Sequence, residues 1–557
     1  MSLQGDSPQF DVVILGSGIA GSILATILAK HGSKVLMLDK ASHPRFAIGE
    51  ALTTHTEKLF SLLSHQYAIP EFKYLTSFDQ VNQNIPGSSC GLKHSFNFLY
   101  HRQGQPQSSS ERVQLAGTRS THLFRQDVDY YLVQVAERYG ARLFSNVTVT
   151  DIDIDEHGVG VKLEDGRKID SSYIVDASGF SSILAKKFGF KEQPSRFKTK
   201  SRTLFTHMTG VKDIDGCLSE DKDKVVPWNA GTIHHVFDGG WMWVIPFNNH
   251  EHSKNPVCSV GLNLNLSHFP KSEDTSPEQE FKHFLSKFPT IADQFANAQN
   301  IRPWAATGRI QFSSSKCMGE RFYILPHASG FIDPIFSTGL IQSLIAISPL
   351  AALILQAVQR NDYGMKNFAS LEQLQQKIFD HYDSIANSTY ISFKDFSLMN
   401  SWLRVWLLQH TMSLAKLLWE PLQELAIEDR NGYVHKDLSR FTEIDYLNAV
   451  DPALDNWGND YIRKVETELE KVEAGLISSD EAVSRILSLL HSTSWFCKVN
   501  RFIKPSHRYV DILHSPWFYI SLLAYSFYSQ LFLKKEVRPF KVSFKNTVNE
   551  LRWGIEV

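Results

Sequence analysis

Residues 10–21 read FDVVILGSGIAG, a run of β-branched and other apolar residues that leads directly into Gly16-x-Gly18-x-x-Gly21. The next segment, SILATILAKHG, has apolar residues at helical spacing, and KVLMLDK after it reads as a second strand that ends at Asp39. This order of strand, glycine turn, helix and strand predicts the start of a Rossmann-like α/β domain.

The three glycines suit the pyrophosphate of a nucleotide. The turn is tight, the backbone must approach the phosphates closely, the helix must pack flat on the strand, and the helix N-terminus favours an anion. Asp39 lies 18 positions after Gly21, where a carboxylate accepts a hydrogen bond from a ribose 2′-hydroxyl. The segment therefore predicts a dinucleotide site, and an acid at this position disfavours a 2′-phosphate.

The composition disfavours several other classes of protein. The chain has 557 residues, of which 43% are hydrophobic and 21% charged, as in a globular protein of two or three domains. A formal net charge of -2, with no block of Lys and Arg interleaved with aromatics, argues against nucleic acid as a partner. The five cysteines include no CxxC pair, so neither a disulfide framework nor a structural metal site is expected. They are Cys90, Cys217, Cys258, Cys317 and Cys497.

The two ends of the chain bear on its location. MSLQGDSPQF at the N-terminus lacks a basic segment followed by an apolar one, which disfavours a secretory signal and predicts a cytoplasmic protein. Near the other end, residues 515–533 read SPWFYISLLAYSFYSQLFL, with no charged residue. Pro516, Gln530 and the serines dilute this run, so a buried helix is favoured and peripheral membrane contact is the alternative.

Two later segments bear on which dinucleotide is bound. KIDSSYIVDASGF, residues 168–180, is a strand ending in Asp176-Ala-Ser-Gly179, which puts small residues where the chain passes close to a cofactor. RFYILPHASGFIDPIFSTGLIQ, residues 321–342, is a strand and a glycine-containing loop that leads into a long apolar helix. In this order the segments resemble the FAD-binding monooxygenases with the fold of p-hydroxybenzoate hydroxylase, and the resemblance implies FAD.

The same resemblance distributes the FAD contacts along the chain. HPRFAIGEAL and FRQDVDYYLVQVAERYGARL are similar to family segments that reach FAD, and they contain Arg45 and Arg125. The alternative is that both arginines are surface charges. Pro326-His327 stands where such flavoproteins usually have Gly-Asp, so His327 replaces a carboxylate expected to bind the ribityl chain, which bears on FAD affinity. The predicted cofactor-binding residues are Gly16, Gly18, Gly21, Asp39, Arg45, Arg125, Asp176, Gly179, His327 and Asp333.

A second resemblance is more specific. GGWMWVIPF, residues 239–247, puts Trp241 and Trp243 on one face of an extended chain. WMWVIP is similar to the WxWxIP signature of flavin-dependent halogenases, and this likeness extends over about residues 8–410; the alternative is a core strand that ends at a proline. The resemblance implies that the two indoles keep the substrate away from the flavin, while small hypohalous acid passes between the two sites.

The halogenase resemblance also implies a halide site and a halogen-transfer lysine. FIDPIFSTGL is similar to the halide loop, in which the backbone N–H groups of Ser337, Thr338 and Gly339 would meet an anion at a helix that begins near Leu340. CGLKHSFNFLYH, residues 90–101, is similar to the segment with the lysine and nominates Lys93; the alternative is a solvated strand lysine. The loop has Asp333-Pro334 and no neighbouring glutamate, as in halogenases of phenolic and pyrrolic substrates.

The resulting hypothesis is an enzyme that uses reduced FAD, O2 and chloride or bromide to halogenate an electron-rich aromatic compound. The substrate is a free small molecule or one tethered to a carrier protein, a separate flavin reductase supplies the reduced flavin, and the catalytic residues are Lys93, Trp241 and Trp243. One alternative is an FAD-dependent monooxygenase, hydroxylase or reductase of the same fold. The other is a flavin-binding protein without catalysis.

The expected fold class is α/β, or α+β overall, with three regions. Residues 8–190 and 300–365 are predicted to form a discontinuous FAD-binding domain. Residues 191–299 are predicted to add a substrate-side antiparallel sheet that carries WMWVIP, and residues 366–557 to form a helical C-terminal region.

Overall fold

The computed structural model describes residues 9–271, 274–419, 456–493 and 504–511. Cys497 and the apolar stretch 515–533, for which membrane contact was an alternative, lie outside these residues. The described chain contains two β-sheets and a set of helices, and the predicted α/β class is confirmed.

The first sheet contains the predicted Rossmann-like unit. Strand β1 (Phe10–Leu15) is followed by helix α1 (Ile19–Lys30) and strand β2 (Val35–Leu38). Most of β1 is buried, which explains why FDVVIL is apolar throughout instead of alternating, as expected for a central parallel strand. The other strands of this eight-stranded sheet are β5 (Arg142–Phe144), β6 (Val149–Ile154), β7 (Val159–Leu163), β8 (Lys168–Asp176), β15 (Met318–Gly319) and β16 (Phe322–Ile324).

The central order of this sheet is β16-β8-β1-β2-β5, with these strands parallel. Leu15, the last residue of β1, pairs with Asp176, the last residue of β8. The glycine turn after β1 and the DASG turn after β8 therefore leave the sheet at the same edge, where a nucleotide binds in this class of fold.

The second sheet has nine strands, and its main path is β13-β9-β12-β11-β10-β3-β4-β17, with β14 paired to β9. The strands are β3 (Gly91–Tyr100), β4 (Arg112–His122), β9 (Ser201–Thr209), β10 (Thr232–Phe237), β11 (Gly240–Pro246), β12 (Cys258–Asn265), β13 (Gln299–Asn300), β14 (Ala305–Ala306) and β17 (Tyr509–Asp511).

This sheet differs from the prediction in two ways. Strands β3 and β4 come from the region assigned to the FAD domain, and β13, β14 and β17 come from beyond residue 298, so the sheet is not confined to residues 191–299. It is also not wholly antiparallel, because β10 pairs in parallel with β3 and β17 with β4. Residue patterns identify a strand but not its distant partner, which explains both differences.

Strand β11, which carries WMWVIP, lies between β10 and β12 and is antiparallel to both. Trp241 and Trp243 point to the face that packs against the FAD-binding region. Met242 and Val244 point to the opposite face, in a separate apolar cluster covered by α6 (Pro277–Ser286) and α7 (Pro289–Gln294). The alternation predicted for this strand thus places both indoles on the side of the cofactor site.

The other helices surround the two sheets. They are α2 (Thr54–Gln66), α3 (Phe78–Asn84), α4 (Arg125–Arg138), α5 (Ile183–Lys187), α8 (Gly339–Arg360), α9 (Ala369–Ser392), α10 (Phe396–Trp419), α11 (Asn456–Glu473) and α12 (Ser479–Thr493). The described part of the C-terminal region is therefore helical, with β17 as an exception.

Helix α8 is the core helix on which the FAD-binding region packs, in contact with α1, α2 and α9. Among the described residues, the stretch Ile335–Arg360 alone is long and apolar enough to cross a membrane. Of its most apolar window, 78% is buried inside the protein, as expected of a core helix.

Candidate active site

The glycine turn after β1 is closed by contacts that only glycine allows. Gly16 has a φ of 95°, and a Cβ atom there would lie 2.7 Å from the carbonyl oxygen of Ala177. A Cβ atom at Gly21 would lie 2.1 Å from the carbonyl oxygen of Gly16. At Gly18 a Cβ atom would meet nothing closer than 3.8 Å. Gly16 and Gly21 thus allow the turn to form, whereas Gly18 leaves open space for a ligand to approach the backbone.

Asp39 is held as a charged residue at the end of β2. Its carboxylate accepts hydrogen bonds from the N–H and hydroxyl of Ser17 at 2.9 and 2.7 Å, from the N–H of Ala41 at 3.0 Å, and from Arg45 at 3.0 Å. Burial opposes its ionisation, but these donors outweigh burial and hold the pKa of Asp39 below its usual value. A ribose at this edge would therefore meet an ionised acceptor.

Arg125 joins the segment that contains Arg45 to α4. Its guanidinium pairs with Asp129 at 2.7 Å and donates to the carbonyl oxygens of Ile48 and Gly49. Arg45 and Arg125 are 28% and 11% exposed, so neither is a freely solvated surface charge. Both lie at the same edge as the glycine turn, because the nearest atoms to a Cβ at Gly18 belong to Arg45 and Asp129.

Two predicted FAD contacts, Asp176 and Asp333, are also hydrogen-bonded within the protein. The carboxylate of Asp176 accepts hydrogen bonds from Ser178, Ser182 and the N–H of Leu184, and it is fully buried. It shapes the turn that contains Gly179, whose φ is 68°. Asp176 thus holds this turn through its protein donors, and its predicted contact with the cofactor stays a prediction.

Asp333 also has protein donors, and its predicted contact with the cofactor likewise stays a prediction. It is 5% exposed and accepts hydrogen bonds from Ser201 at 2.8 Å, the N–H of Ile335 at 3.0 Å and Tyr390 at 3.0 Å. Burial raises its pKa to about 6. Asp333 thus fixes the loop that leads into α8 from within the protein.

His327 lies in the same region as Arg125, but its ring is directed at α8. Its backbone has a φ of 69°, and its Nε2 would lie 2.6 Å from a Cβ atom at Gly339. Its Nδ1 lies 3.5 Å from the hydroxyl of Ser343. Burial, with a smaller effect from the charge of Arg125, lowers the pKa of His327 to about 4. The imidazole is therefore neutral near pH 7, unlike the carboxylate that it replaces.

The predicted halide loop has an unusual backbone. Phe336 and Ser337 have φ values of 62° and 57°, in the left-handed region that non-glycine residues seldom adopt. The N–H of Ser337 donates to the carbonyl of Pro334 within this turn, so it is not available to an anion. Thr338 and Gly339 begin α8, where an α-helix leaves its first N–H groups without intrahelical partners. Of the three residues predicted to offer backbone N–H groups to a halide, Thr338 and Gly339 are therefore the two that remain.

The two tryptophans of β11 are adjacent and buried, with 1% and 6% exposure and ring centroids 5.9 Å apart. Trp243 lies over Gly261 of β12, where a Cβ atom would be 2.1 Å from its ring. Its indole N–H donates to Ser259, and that of Trp241 donates to Tyr390, each at 3.2 Å. The indoles are therefore fixed in place and offer no acid or base.

Tyr390 was not identified from the sequence. Its hydroxyl accepts from the indole of Trp241 and donates to Asp333 at 3.0 Å, so it joins the tryptophans to the loop before α8. The one sequence signal for such a residue is general: a buried indole N–H needs an acceptor, but its position in the chain is not specified.

Lys93 is buried, with 2% exposure, so the alternative of a solvated strand lysine is excluded. Its ammonium nitrogen donates to the carbonyl of Leu52 at 2.6 Å and lies 3.8 Å from the ring centroid of Phe96. Burial lowers the pKa of Lys93 to about 7, while the negative charge of Glu57 opposes this effect. A lysine of this kind changes its charge near neutral pH.

Aromatic rings connect Lys93 to both the tryptophans and the halide loop. Phe98 stacks on His234 at 4.6 Å, and His234 lies 5.5 Å from Trp241. On the other side Phe98 lies 6.2 Å from Phe336, which precedes Ser337. We call the following set the Lys93 cluster: Lys93, Glu57, Phe96, Phe98, His234, Trp241, Phe336, Trp406 and His410.

Two members of the Lys93 cluster come from α10, which sequence reasoning did not assign to the site. Trp406 stacks on Phe336 with a centroid distance of 4.1 Å, and it lies 5.3 Å from the ring of His410. Burial, and then the positive charge of Lys93, lowers the pKa of His410 to about 4. Helix α10 thus covers the cluster with a large flat ring and a neutral imidazole.

The fold and this site together define an α/β nucleotide-binding protein. Its nucleotide edge consists of the turn at Gly18 with Asp39, Arg45 and Arg125, and its tryptophan pair and the buried Lys93 lie on the second sheet. The family model described as tryptophan halogenase matches residues 95–391, and a model of the NAD(P)-binding Rossmann-like domain matches residues 14–67. The chain belongs to the flavin-dependent halogenases.

Individual relatives agree with this assignment. Monodechloroaminopyrrolnitrin halogenase PrnC of Pseudomonas fluorescens is 39% identical over 490 residues, which cover 87% of this chain and 85% of the relative. Tetracycline 7-halogenase of Kitasatospora aureofaciens is 42% identical over 408 residues, 72% of this chain and 73% of the relative. The crystal structure of halogenase PltM in complex with phloroglucinol and FAD has a TM-score of 0.84 at 32% identity and covers 90% of this chain and 99% of that one.

The predicted activity is therefore confirmed at the level of the family. The protein is an enzyme that uses FAD, O2 and a halide to halogenate an aromatic substrate. Family membership favours this activity over the two alternatives, a hydroxylase or reductase of the same fold and a flavin-binding protein without catalysis.

Proposed function

We propose that Lys93 transfers the halogen, that Trp241 and Trp243 separate the flavin from the substrate, and that Thr338 and Gly339 hold the halide. The observation that carries this proposal is the unbroken series of ring contacts from Phe336, beside the halide loop, through the Lys93 cluster to Trp241. Hypohalous acid formed near α8 is small enough to move along such a boundary, whereas an aromatic substrate is not.

The nucleotide edge fits FAD. Gly18 leaves room at the turn, Asp39 is an ionised acceptor, and Arg45 and Arg125 supply positive charge beside it. When FAD binds here in its reduced form, it supplies with O2 the oxidising equivalents that convert a halide to hypohalous acid. We also propose that a separate flavin reductase provides the reduced FAD.

The halide site follows from the helix geometry. Thr338 and Gly339 present backbone N–H groups at the positive end of α8, which has 22 residues. No charged side chain is required, because unpaired helical donors favour a small anion. Asp333 holds the loop by accepting a hydrogen bond from the N–H of Ile335, and it does not contact the halide.

Lys93 has two chemical routes to transfer. As an ammonium group it hydrogen-bonds the oxygen of hypohalous acid; the oxygen–halogen bond breaks, a carbon–halogen bond forms, and the departing oxygen takes the lysine proton and leaves as water. The ring carbon then loses its proton, which restores the ammonium charge. As a free amine, Lys93 instead carries the halogen on its nitrogen before passing it on. Its lowered pKa makes both forms accessible near pH 7.

The substrate we propose is an electron-rich aromatic compound of the phenol or pyrrole type. Apart from Lys93 and Glu57, the members of the Lys93 cluster are flat rings, and burial keeps His234 neutral, with a pKa of about 3. Such surroundings suit a planar, uncharged ring better than an amino acid with two charges. The same experiment tests whether the substrate is a free molecule or is tethered to a carrier protein.

The test is a halogenation assay of the wild type and Lys93→Ala with FAD, a flavin reductase, and chloride or bromide. The panel contains free phenols, free pyrroles and one carrier-tethered pyrrole, and mass spectrometry detects the product. Lys93→Ala should lose product halogenation by at least about 100-fold, yet still consume reduced flavin and O2. Lys73→Ala, a substitution outside the cluster, is the control. If Lys93→Ala kept a tenth of the wild-type rate, a loss of only about 1.4 kcal/mol, another group would carry the transfer.

A further inference from the structure

Glu57 is a buried acid for which the proposed halogenation has so far no use. It lies in the first turn of α2, with 2% exposure, and its Oε2 accepts a hydrogen bond from the hydroxyl of Thr118 at 3.2 Å. Its other oxygen, Oε1, is buried and has no hydrogen-bond partner in the described part of the chain. A carboxyl group left half-satisfied in the interior is costly to folding, so its place beside the Lys93 cluster needs an explanation.

The backbone holds Glu57 on the same side of the second sheet as Lys93. Lys93 of β3 is paired across the strands with Ser120 of β4, two residues after Thr118, the donor to Glu57. The carbonyl of Leu52, just before α2, accepts from the Lys93 ammonium, while the N–H of Leu52 donates to Thr121. The start of α2 is thus attached to β4 opposite Lys93, and the opposite charges of Glu57 and Lys93 interact.

The remaining titratable groups that face Lys93 come from three other elements and are basic. They are His122 of β4, His234 of β10 and His410 of α10, and burial followed by the charge of Lys93 lowers the pKa of each. His55 of α2 lies 6.0 Å from His410. Lys58, the next residue in α2, adds a second positive charge that lowers the pKa of Glu57 more than Lys93 does. Among the described groups that interact with Lys93, Glu57 is the one acid.

We propose that Glu57 is a positioning residue for halogen transfer, which holds the proton on the Lys93 ammonium inside a site that otherwise favours the neutral amine. This inference rests on the proposed role of Lys93. Burial opposes the positive charge of Lys93, whereas the carboxylate of Glu57 stabilises it, and no other acid replaces Glu57 among the described residues around Lys93.

The electrostatic balance gives the pair a defined response to pH. Burial raises the pKa of Glu57 to about 7, against the opposing effects of Ser120, Lys58, Thr118 and Lys93 in decreasing order. Burial also lowers the pKa of Lys93 to about 7, against the charge of Glu57, so both groups lie near their midpoints at neutral pH. Removing the carboxylate removes an attraction for the ammonium, and the pKa of Lys93 must then fall further. Whichever form of Lys93 transfers halogen, the part of the rate profile that Lys93 controls moves to lower pH.

The first test is the pH profile of product halogenation for the wild type, Glu57→Gln and Glu57→Asp. In Glu57→Gln the limb set by Lys93 should move to lower pH by about one pH unit, and Glu57→Asp should restore most of the wild-type position. A moving basic limb identifies the ammonium as the active form, and a moving acidic limb identifies the free amine. Glu71→Gln, at an acid paired with Tyr139 outside the cluster, should leave the profile unchanged. An unmoved profile in Glu57→Gln, or an equal shift in Glu57→Asp, overturns the inference.

A second measurement does not depend on activity or on FAD. Melting temperatures of the wild type, Glu57→Gln, Lys93→Met and the double variant, measured at pH 6 to 9, form a double-mutant cycle. We expect the two substitutions to be non-additive, with a coupling that changes over this pH range; additive values at every pH overturn the inference. If Glu57→Gln does not fold, Thr118→Val, which removes the donor to Glu57, replaces it in both tests and should show a smaller shift in the same direction.

The two proposals fail in distinguishable ways. If Lys93→Ala retains halogenation, the proposed role of Lys93 is wrong, even where the cycle shows coupling. If Lys93→Ala loses halogenation but the cycle is additive and the pH profile of Glu57→Gln is unmoved, the transfer role stands and the positioning role of Glu57 is wrong.

Discussion

The nucleotide edge and the Lys93 cluster differ in how many hydrogen-bond partners their charged groups have. At the nucleotide edge Asp39 has four protein donors, and Arg125 has Asp129 and two carbonyl groups as acceptors. In the Lys93 cluster the ammonium of Lys93 donates to one carbonyl, and Glu57 accepts one hydrogen bond from a hydroxyl. Asp39 and Arg125 are thus well hydrogen-bonded before any ligand binds, whereas the second region holds two buried ionisable groups with few partners.

This difference separates binding from chemistry. Donors and acceptors that the protein already holds in place lose little conformational entropy when a cofactor binds. Buried charges with few partners lower the stability of the fold, but their protonation then changes near neutral pH, which a proton-transfer step requires. Four experiments test whether the two regions differ in this way, in order of decreasing effect.

The largest expected effect concerns the glycine turn. Gly21→Ala places a Cβ atom 2.1 Å from the oxygen of Gly16, so α1 must move away from β1. We expect a loss of about 4 kcal/mol in unfolding free energy, measured by chemical denaturation without FAD. Gly18→Ala is the matched control, because its Cβ atom has 3.8 Å of clearance: it should keep the stability within about 1 kcal/mol and weaken FAD binding alone. Equal destabilisation of both variants would show that the turn is not packed as described.

The second prediction concerns the cost in stability of burying the ammonium group of Lys93. The pKa of Lys93 falls from 10.5 to about 7 on folding, so the unfolded chain binds one more proton than the native state between these pH values. The wild type should therefore gain stability as pH rises from 7 to 10, and Lys93→Met, which has no charge to bury, should be more stable by about 3 kcal/mol at pH 7. That advantage should shrink toward pH 10. Lys73→Met is the control, and a destabilised Lys93→Met would show that the lysine is structural.

The third prediction concerns the boundary between the two regions. Trp241→Phe and Trp243→Phe keep an aromatic ring but remove the indole N–H and part of the barrier, so hypohalous acid or peroxide should escape. Product halogenation should fall about tenfold, a modest misplacement effect, while flavin oxidation stays within about twofold. Tyr390→Phe keeps both indoles but removes the hydroxyl that accepts from Trp241 and donates to Asp333, and it should show the same change to a smaller degree. Variants that stopped the reaction of flavin with oxygen would assign the tryptophans to flavin packing instead.

The smallest expected effect concerns His327. His327→Asp places a carboxylate beside Arg125 in a left-handed conformation that Asp tolerates, so FAD affinity should be preserved or improved by up to about tenfold. His327→Ala should bind more weakly, and titration of FAD fluorescence measures both. A large loss of affinity in His327→Asp would give the neutral imidazole a function of its own.

The parts of this molecule that were predictable are local in the sequence. The strand, turn and helix from Phe10 to Lys30 were predictable because the need for glycine at Gly16 and Gly21 arises from atoms a few residues away or in the next strand of the same sheet. The face of Trp241 and Trp243 followed from the period of two in a strand. Lys93 was found through a family resemblance, and its sequence neighbours Phe96 and Phe98 indicated a partly buried, apolar neighbourhood.

The errors and omissions have a common cause. The extent and direction of the second sheet were wrong because β3 and β10 are more than 130 positions apart in sequence and pair in parallel. The hydrogen bonds of Asp333 within the protein were not foreseen, because two of its donors lie on the distant elements β9 and α9. Glu57, Tyr390, Trp406 and His410 were missed because each is an ordinary helical residue in its own segment.

The sequence by itself determined the class of fold, the cofactor edge and the family, because glycine geometry, strand period and short motifs act over a few residues. Only the tertiary structure decided which charges are paired and which are buried without partners. A pKa depends on the dielectric and the charges within a few ångströms of the group, and around Lys93 these come from α2, β4, β10 and α10, elements separated by hundreds of residues in the chain.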